Sequence, residues 1–188
     1  AQKGATKGFY SGPVAKAIVS TVTKPPLRKG STREVRPGVM TLDDLKRYRA
    51  KERQPTKVQY QGIDVFGMGP PSSGGTTVGE ALNILTAIQA RPDVGFLGAI
   101  PRERALHFYL EASRYAYADR NQYVGDPSFY PVPTAGLLDR DYAAQRASLI
   151  GERAANPAAV PAGTAPGAPS RGAVRGDRRG SPPNTSIT

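Results

Sequence analysis

The sequence predicts a mixed α/β (α+β) domain followed by an extended or disordered C-terminal tail. Two short runs around a glycine alternate apolar and polar residues, which is typical of half-buried strands. Several longer runs repeat apolar residues every three or four positions, which is typical of helices. Residues 151–188 are dominated by Ala, Pro, Gly and Arg, a composition that buries too little apolar surface to offset chain entropy. The domain is therefore expected at residues 1–150 and the tail at residues 151–188.

The composition excludes several kinds of site. The 188 residues include no cysteine and one histidine, so disulfides, thiolate nucleophiles and metal sites rich in Cys or His are ruled out. A Ser-His-Asp site would have to use that histidine, His107. No apolar run approaches the roughly 18 residues of a membrane-spanning helix, so no transmembrane segment is expected. The net charge of +11 is dispersed without interleaved aromatic residues, so nucleic acid is not an expected partner.

Two helices are predicted before residue 50. Pro13 suits the first position of a helix, with Gly12 or Ser11 at the cap, and two later prolines end it. A basic loop rich in Pro and Gly follows. Thr41 and Asp44 then form a capping-box pattern at the start of the second helix. The apolar stripe of the first helix comprises Val14, Ala17, Ile18 and Val22.

A β-hairpin is predicted next. Val58 and Tyr60 alternate with polar residues, and Ile63 and Val65 do the same after a turn. Gly62 at that turn can take a positive φ, as a two-residue hairpin loop requires. One face of each strand is therefore expected to point toward the core.

The segment from Gly69 to Gly75 connects this hairpin to a helix. Its prolines fix φ, and its glycines allow close approach of the backbone. Two interpretations remain open: a stiff connection in which Ser72 or Ser73 caps the helix, or the wall of a site for a small polar substrate. The candidate wall residues are Ser72, Ser73, Gly74 and Gly75. Glu80 lies off the apolar stripe of the helix that follows, which comprises Val78, Ala81, Leu82, Leu85 and Ile88.

A long helix is predicted over residues 102–121. It has two apolar stripes, so both of its sides are expected to be covered. These stripes are Leu106, Tyr109, Leu110, Ser113 and Tyr117, and Ala105, Phe108, Ala112 and Tyr115. His107 lies between them and is expected to be a hydrogen-bonded packing histidine. Asp119 with Arg120, and then Asp126, are expected to hold the next loop by ion pairing and an Asx-type turn.

Several of these segments resemble the gamma-glutamyltranspeptidase family, in particular the C-terminal half of its large subunit. The resemblance covers residues 9–150. The similar segments are Phe9-Tyr10-x-Gly12, Met40-Thr41-x-x-Asp44-Leu45-x-x-Tyr48, Pro70-Pro71-Ser72-Ser73-Gly74-Gly75 with Leu82-Asn83-Ile84-Leu85, His107-x-x-x-Glu111-Ala112 with Ala118-Asp119-Arg120 and Gly125-Asp126-Pro127, and the helix that begins near Gly136-Leu137-Leu138.

The resemblance implies a fold and an activity. The implied fold is a partial αββα sandwich of the N-terminal nucleophile hydrolase type. The implied activity transfers the gamma-glutamyl group of glutathione or related amides to water, amino acids or peptides. Its nucleophile is a threonine that self-cleavage exposes at the start of a small subunit. Thr188 is either that nucleophile or the residue before the cut. No cofactor and no metal are implied.

The resemblance also implies partners and a compartment. The partners are the small subunit, the N-terminal half of the large subunit and a small gamma-glutamyl substrate, and the compartment is periplasmic or extracellular. The chain alone is therefore expected to be inactive. Two alternatives from the same superfamily stay open, a cephalosporin acylase and a poly-gamma-glutamate transferase. A third alternative is a non-catalytic fragment or interaction module with a basic tail.

Overall fold

The computed structural model describes residues 7–156, 158 and 160–169. The chain divides into two compact units, residues 1–52 and residues 53–188. Among the described residues, the first unit contains the helices Pro13–Thr23 and Leu42–Arg47 and a helical turn over residues 7–10. The second contains a hairpin, four further helices and a 3₁₀ turn, and it carries most of the buried core. The fold class is accordingly α+β, with helices predominating over a small sheet.

In the first unit, helix α1 spans Pro13–Thr23 and helix α2 spans Leu42–Arg47. The predicted starts are confirmed: Gly12 is the N-cap of α1 with Pro13 behind it, and Thr41 forms a capping box. The Thr41 hydroxyl accepts from the backbone N–H of Asp44 at 3.2 Å, and the Thr41 N–H donates to the Asp44 carboxylate at 2.8 Å. That hydroxyl and backbone N–H hold the pKa of the Asp44 carboxyl below its usual value.

The predicted apolar stripe of α1 is only partly covered. Ala15, outside that stripe, is the buried residue of the helix, whereas Val14 and Ala17 are exposed. Val22 is half-buried because the chain returns past it at Gly38, whose backbone N–H donates to the Val22 carbonyl at 2.8 Å. The reason for the difference is that the described partners of α1 are a loop and a short helix, which cover less than a full stripe.

The second unit begins with the predicted hairpin. Strand β1 spans Thr56–Tyr60 and strand β2 spans Ile63–Gly67, paired antiparallel with Val58 opposite Val65. Both turn residues lie in the left-handed region, Gln61 at φ 54° and Gly62 at φ 78°. A turn with two positive φ values matches the twist of the strands, so this turn sets the register.

Helix α3, Gly74–Gln89, is the central element of the second unit. It packs against the hairpin on one side and against α4, Arg102–Tyr123, and α6, Arg140–Ser148, on the other. A 3₁₀ turn at Leu97–Ala99 precedes α4, and the short helix α5, Thr134–Leu137, precedes α6. Residues of these three longer helices and their flanks form the main core: Ile84, Leu85, Ile88, Val94, Phe108, Ala112, Tyr115, Ala143, Ala147 and Ile150.

Only one of the two apolar stripes of α4 is buried in the described part of the chain. Phe108, Ala112 and Tyr115 lie in the core. The other stripe is about half exposed, with 47–57% of each residue accessible at Leu106, Tyr109, Leu110 and Tyr117. Among the described residues, the expectation that both sides are covered is therefore not met, because the core contacts of α4 lie on the stripe of Phe108, Ala112 and Tyr115.

The first part of the predicted tail is extended but docked. Residues 160–169 contain no helix or strand, yet Ala165 is only 2% exposed and packs with Leu137 and Tyr142. Earlier, Ala155 is held at both backbone groups: its N–H donates to the Glu111 carboxylate at 3.1 Å, and its carbonyl accepts from Arg114 at 2.7 Å. Of the two predicted alternatives, extended or disordered, these residues adopt the extended one, and hydrogen bonds and small side chains hold them in place of large apolar ones. Residues 170–188 lie outside the described part.

Candidate functional site

The loop from β2 to α3 is held tightly against the hairpin. The Pro70–Pro71 peptide is cis, and Gly69 and Pro70 are buried. The backbone N–H of Gly75 donates to the Met68 carbonyl at 3.2 Å. A Cβ on Gly75 would overlap with the Thr56 hydroxyl and the Met68 carbonyl. Glycine is therefore required at this position because the first turn of α3 lies against β1 and the end of β2.

The loop serines lie at the start of α3, where the sequence predicts a cap. Ser73 is the N-cap residue, but its hydroxyl makes no capping bond. Its carbonyl instead accepts from the Thr77 N–H at 2.9 Å and the Thr76 hydroxyl at 3.1 Å. The Ser72 hydroxyl accepts from the Gly74 N–H at 3.4 Å. The predicted cap position is thus confirmed, while the hydroxyl of Ser73 is not used for it.

The four candidate wall residues do not all lie at the surface. Ser72 and Ser73 are half-buried and Gly74 is exposed, so these three are together at the surface where α3 begins. Gly75 is buried beneath them. Only the first three can therefore present groups to a ligand, and Gly75 acts by allowing the loop to pack on the hairpin.

Substitution of Gly75 by alanine is expected to lower the free energy of unfolding by about 1–3 kcal/mol, because the added methyl group overlaps both a side chain and backbone. Gly74 provides a matched control. A Cβ at Gly74 meets only the Ser72 hydroxyl at 3.6 Å, so Gly74→Ala is expected to be neutral or slightly stabilising. Urea unfolding of the chain, followed by far-UV circular dichroism, measures both. Equal stability of the two variants would contradict the close approach of α3 to β1.

A second group of polar residues lies inside the helical core. Glu80 on α3, Asp119 on α4, and Tyr142 and Arg146 on α6 are each at most 3% exposed. We refer to these four residues as the buried cluster. Asp119 is its centre: one carboxylate oxygen accepts from the Tyr142 hydroxyl at 2.9 Å and lies 2.9 Å from Arg146 Nε. The other accepts from the backbone N–H of Gly163 at 2.6 Å.

The environment of the buried cluster changes two pKa values. Burial raises the pKa of Glu80 to about 10, and a hydrogen bond with Asp119 and the charge of Asp119 add to the increase. Burial, followed by the charge of Asp119, also raises the pKa of the Tyr142 hydroxyl above its usual value. Glu80 therefore stays protonated at neutral pH, and its O–H group donates a hydrogen bond to Asp119. The charged groups of the cluster are then Asp119 and Arg146, which form a buried ion pair.

The sequence reasoning missed the buried cluster. Glu80 was placed off the apolar stripe of its helix, but α3 is buried on several sides. Asp119 and Arg120 were expected to hold the next loop by ion pairing, whereas Asp119 is buried against Arg146 at 2.9 Å and Arg120 donates to Asn121 at 2.8 Å. One signal was present: Glu111 and Asp119 follow the same face of α4 as Phe108 and the other core residues, at intervals of a helical turn. Carboxylates within an apolar stripe indicate buried, partnered groups.

Two other predictions are confirmed. The His107 imidazole Nε2 donates to the Gly151 carbonyl at 2.7 Å, so His107 is a packing histidine. Asp126 forms an Asx-type turn, in which its carboxylate accepts from the backbone N–H of Ser128 at 2.8 Å, and it also binds Arg53 at 3.2 Å. Within the described residues, the hydrogen bond of the His107 ring therefore goes to the backbone and not to the loop serines.

The remaining expectations concern metals, membranes and Thr188. Over residues 7–156, 158 and 160–169, no group of three or more His, Cys, Asp or Glu residues is placed to hold a metal ion. Within the same residues, no helix combines the length and the apolar character needed to cross a membrane. Thr188, the candidate nucleophile, lies outside the described residues.

Comparison with known proteins decides the family. The family model described as Gamma-glutamyltranspeptidase matches residues 1–182. The chain belongs to the gamma-glutamyltranspeptidase family. It is 38% identical over 150 residues to the glutathione hydrolase proenzyme of Pseudomonas sp. (strain A14), an alignment that covers 79% of this chain and 23% of that protein. This member of the gamma-glutamyltranspeptidase family thus spans about a quarter of the length of that glutathione hydrolase proenzyme.

Solved structures agree with this assignment to the gamma-glutamyltranspeptidase family. The crystal structure of Helicobacter pylori gamma-glutamyltranspeptidase has a TM-score of 0.67 and 31% identity, covering 85% of this chain and 42% of that one. Cephalosporin acylase from Bacillus halodurans has a TM-score of 0.61 and 27% identity, covering 82% of this chain and 26% of that one. The fold of this gamma-glutamyltranspeptidase-family chain is therefore shared by an enzyme named as an acylase.

Proposed function

We propose that this chain is part of the large subunit of an enzyme that transfers the gamma-glutamyl group of glutathione or related amides to water, amino acids or peptides. The observation that carries the proposal is the 38% identity to a glutathione hydrolase proenzyme over most of the chain. That alignment covers 150 residues, and the family model extends over residues 1–182. The structural likeness to a gamma-glutamyltranspeptidase adds independent support.

In the proposed reaction the nucleophile is a threonine with a free α-amine. Self-cleavage of the precursor exposes this threonine at the start of the small subunit. Its hydroxyl attacks the gamma-glutamyl carbonyl, and its α-amine, with an unperturbed pKa of about 8, takes the hydroxyl proton. The α-amine gives this proton to the amide nitrogen of the donor, the C–N bond breaks, and the donor amine leaves the glutamyl group as an ester on the threonine. Water or an acceptor amine then attacks this ester, and the threonine hydroxyl regains its proton. Thr188 is either this nucleophile or the residue before the cut.

The proposed role of the present chain in that enzyme is to supply a scaffold and one wall of the substrate pocket. Ser72, Ser73 and Gly74 contribute hydroxyls and backbone amides, and their partial exposure at the start of α3 supports this. Gly75 holds the loop on the hairpin. Residues 1–150 form the scaffold, and residues 151–188 lead to the processing junction.

Two exposed surfaces support a larger assembly. The face of the hairpin opposite α3 carries Phe66, which is 62% exposed, and we propose that further strands complete an αββα sandwich of the N-terminal nucleophile hydrolase type there. The exposed stripe of α4 is a second apolar surface. The proposed partners are the small subunit and the N-terminal half of the large subunit, which together account for the length of the relatives beyond this chain. The proposed compartment is periplasmic or extracellular.

A cephalosporin acylase is the second candidate function. The TM-score of 0.61 to the Bacillus halodurans acylase supports it, as does the fact that both activities use the same fold. The two candidates differ in the acyl group that the pocket accepts. Hydrolysis of a gamma-glutamyl anilide and of a glutaryl-substituted cephalosporin, compared on the same preparation, distinguishes them.

The test uses the full-length protein beside the isolated 188-residue chain. The full-length protein is expected to cleave itself and to hydrolyse a gamma-glutamyl anilide, whereas the isolated chain is expected to be inactive. Intact mass identifies the species present, because the isolated chain has a mass of 19.9 kDa. N-terminal sequencing of the smaller product then identifies the nucleophile. Activity of the isolated chain, or a full-length protein that never cleaves, would overturn the proposal.

Thr188 has a matched control in Thr185, three residues earlier. If Thr188 is the nucleophile, Thr188→Ala abolishes both cleavage and hydrolysis, since no hydroxyl is left to attack. If Thr188 precedes the cut, the variant still cleaves and the new N-terminus is the following residue. Thr185→Ala is expected to leave both reactions in place.

A further inference from the structure

The segment 160–169, which we call the strap, is held by side chains of α4 and α6. The Gly163 N–H donates to Asp119 at 2.6 Å, and the Gly163 carbonyl accepts from the Tyr123 hydroxyl at 2.6 Å. Arg146 Nη2 donates to the Pro161 carbonyl at 2.8 Å. Three backbone groups of an irregular segment are therefore fixed by partners about 15 to 44 residues away in the sequence.

Close packing of small residues fixes the strap in a second way. A Cβ on Gly163 would overlap with the Tyr142 hydroxyl, and a Cβ on Gly136 would overlap with the Pro166 carbonyl. Ala165 is buried and packs with Leu137 and Tyr142. The strap therefore has one position against α5 and α6, and an added methyl group on either side would move it.

Asp119 and Arg146, which we call the anchor, carry charged groups that bind backbone groups of the strap. A buried ion pair is a poor way to join two helices, because apolar residues of similar volume usually stabilise a core as well or better. Asp119 and Arg146, however, also bind the strap. Each does so through an atom that takes no part in the contact between the two side chains. A carboxylate that accepts an N–H and a guanidinium that donates to a carbonyl satisfy strap backbone groups that have no strand partner.

We propose that Asp119 and Arg146 are positioning residues for self-cleavage. They hold the strap in place, and the strap in turn positions the chain that leads to the processing junction. This inference rests on the proposed function, in which residues beyond the strap contain the cut. Attack on a peptide bond requires the reacting atoms to be aligned within a fraction of an ångström to about one ångström. A fixed strap supplies one end of that alignment. Asp119 and Arg146 touch neither the nucleophile nor the scissile bond in this account.

Cleavage of the full-length protein tests the inference. Asp119→Asn replaces one carboxylate oxygen with an NH2 group, so the side chain can no longer accept from Gly163 on one oxygen and contact Tyr142 and Arg146 with the other. Gly163→Ala keeps the four side chains of the buried cluster but places a methyl group against the Tyr142 hydroxyl, which displaces the strap. Both variants are expected to cleave roughly 10- to 100-fold more slowly than the wild type. The control is Glu152→Gln, which breaks an exposed ion pair with Arg104 that also joins α4 to the segment after residue 150. This control is expected to cleave within about twofold of the wild-type rate.

Hydrogen exchange measures the strap itself. Amides of residues 162–165 are expected to lose protection in Gly163→Ala, while amides of α3 and α4 keep theirs. In Asp119→Asn the amides of residues 162–165 are expected to lose more protection than those of α3 and α4, which fall only with the stability of the whole chain. If Asp119→Asn fails to fold, Gly163→Ala decides the matter, because its substitution lies in the strap.

A pH profile separates positioning from simple packing. Glu80 faces Asp119 on α4 and Tyr142 and Arg146 on α6. Its ionisation near pH 10 would place a second negative charge beside Asp119 and weaken the anchor. Strap protection in the wild type is expected to fall as this pH is approached, and Glu80→Gln, whose amide still donates to Asp119, is expected to retain it. Destabilisation of the whole chain by ionised Glu80 would lower the protection of α3 and α4 as well, so a loss confined to the strap identifies the positioning role.

The outcomes are distinct. Variants with a released strap that cleave at the wild-type rate overturn the inference and leave the proposed function standing. Identical pH profiles of the wild type and Glu80→Gln also count against it. A full-length wild type that never cleaves overturns both the inference and the proposed function.

Discussion

Replacing Asp119 with asparagine is expected to lower the free energy of unfolding by about 3–5 kcal/mol. The change keeps the shape of the side chain but leaves the Arg146 guanidinium, which is 3% exposed, without its carboxylate partner at 2.9 Å. A buried charge that has lost its partner has neither water nor a counter-ion to stabilise it. Urea unfolding of the chain, followed by far-UV circular dichroism, measures the loss.

Glu152→Gln is the control for this experiment. It removes a carboxylate that binds Arg104 on the same helix at 2.7 Å, but at the surface. Solvent and mobile ions already screen that pair, so the variant is expected to unfold at nearly the wild-type urea concentration. A similar loss for Asp119→Asn and Glu152→Gln would contradict the role of the buried ion pair.

Substitutions of Glu80 and Asp119 are expected to have non-additive effects on the free energy of unfolding. In Asp119→Asn the charge that helps raise the pKa of Glu80 is gone, so Glu80 can ionise and partly compensate Arg146. In the double variant Asp119→Asn/Glu80→Gln, no carboxylate of the cluster is left. The double variant is therefore expected to lose more stability than the sum of the two single variants.

The second large effect is a fall in stability with rising pH that depends on Glu80. Folded Glu80 has a pKa of about 10, whereas the unperturbed value is 4.5. Between these values the folded chain holds one proton more than the unfolded chain. The stabilisation is therefore complete below pH 4.5 and is lost progressively up to about pH 10. One proton corresponds to at most about 1.4 kcal/mol of unfolding free energy per pH unit.

The measurement is the urea midpoint of the wild type and of Glu80→Gln across neutral to mildly alkaline pH. The wild type is expected to lose stability as pH rises, and Glu80→Gln is expected to have a flatter profile because glutamine does not ionise. Glu103→Gln, on the exposed first turn of α4, is expected to follow the wild type. Carboxyls whose pKa is lowered on folding, such as that of Asp44, have the opposite effect on stability: their contribution is lost as the pH falls, and only at acidic pH. A wild-type profile as flat as that of Glu80→Gln would show that Glu80 is ionised in the folded chain.

Features set by neighbouring residues were predictable from the sequence. The hairpin follows from period-two alternation and a glycine that tolerates positive φ, and both act within a dozen residues. The capping box of Thr41 and Asp44 is equally local. The start of α3 at the loop glycines was also predicted, because prolines and glycines punctuate the chain there.

Features set by distant contacts were not predictable. Asp119 binds Tyr142 and Gly163, which lie 23 and 44 residues further along the chain. The burial of Glu80 depends on the docking of α4 and α6 against α3, which no periodicity in α3 alone encodes. The docking of the strap was not predictable because composition counts large apolar side chains, whereas the strap is held by backbone hydrogen bonds and close contacts at glycine. The candidate wall was predicted as a segment, but the burial of Gly75 beneath it required the position of β1.

The hairpin also bears on how the chain behaves at high concentration. Among the residues that the structure describes, no third strand pairs with β1 or β2, so backbone donors and acceptors line the outer edges of the sheet. Such edges are templates for pairing between identical molecules. Lys57 and Asp64, joined at 2.8 Å on the solvent-facing side, and a net charge of +11 oppose this association. Salt screens charge over about 10 Å or less but leaves edge hydrogen bonds intact, so colloidal stability and folding stability respond to ionic strength separately.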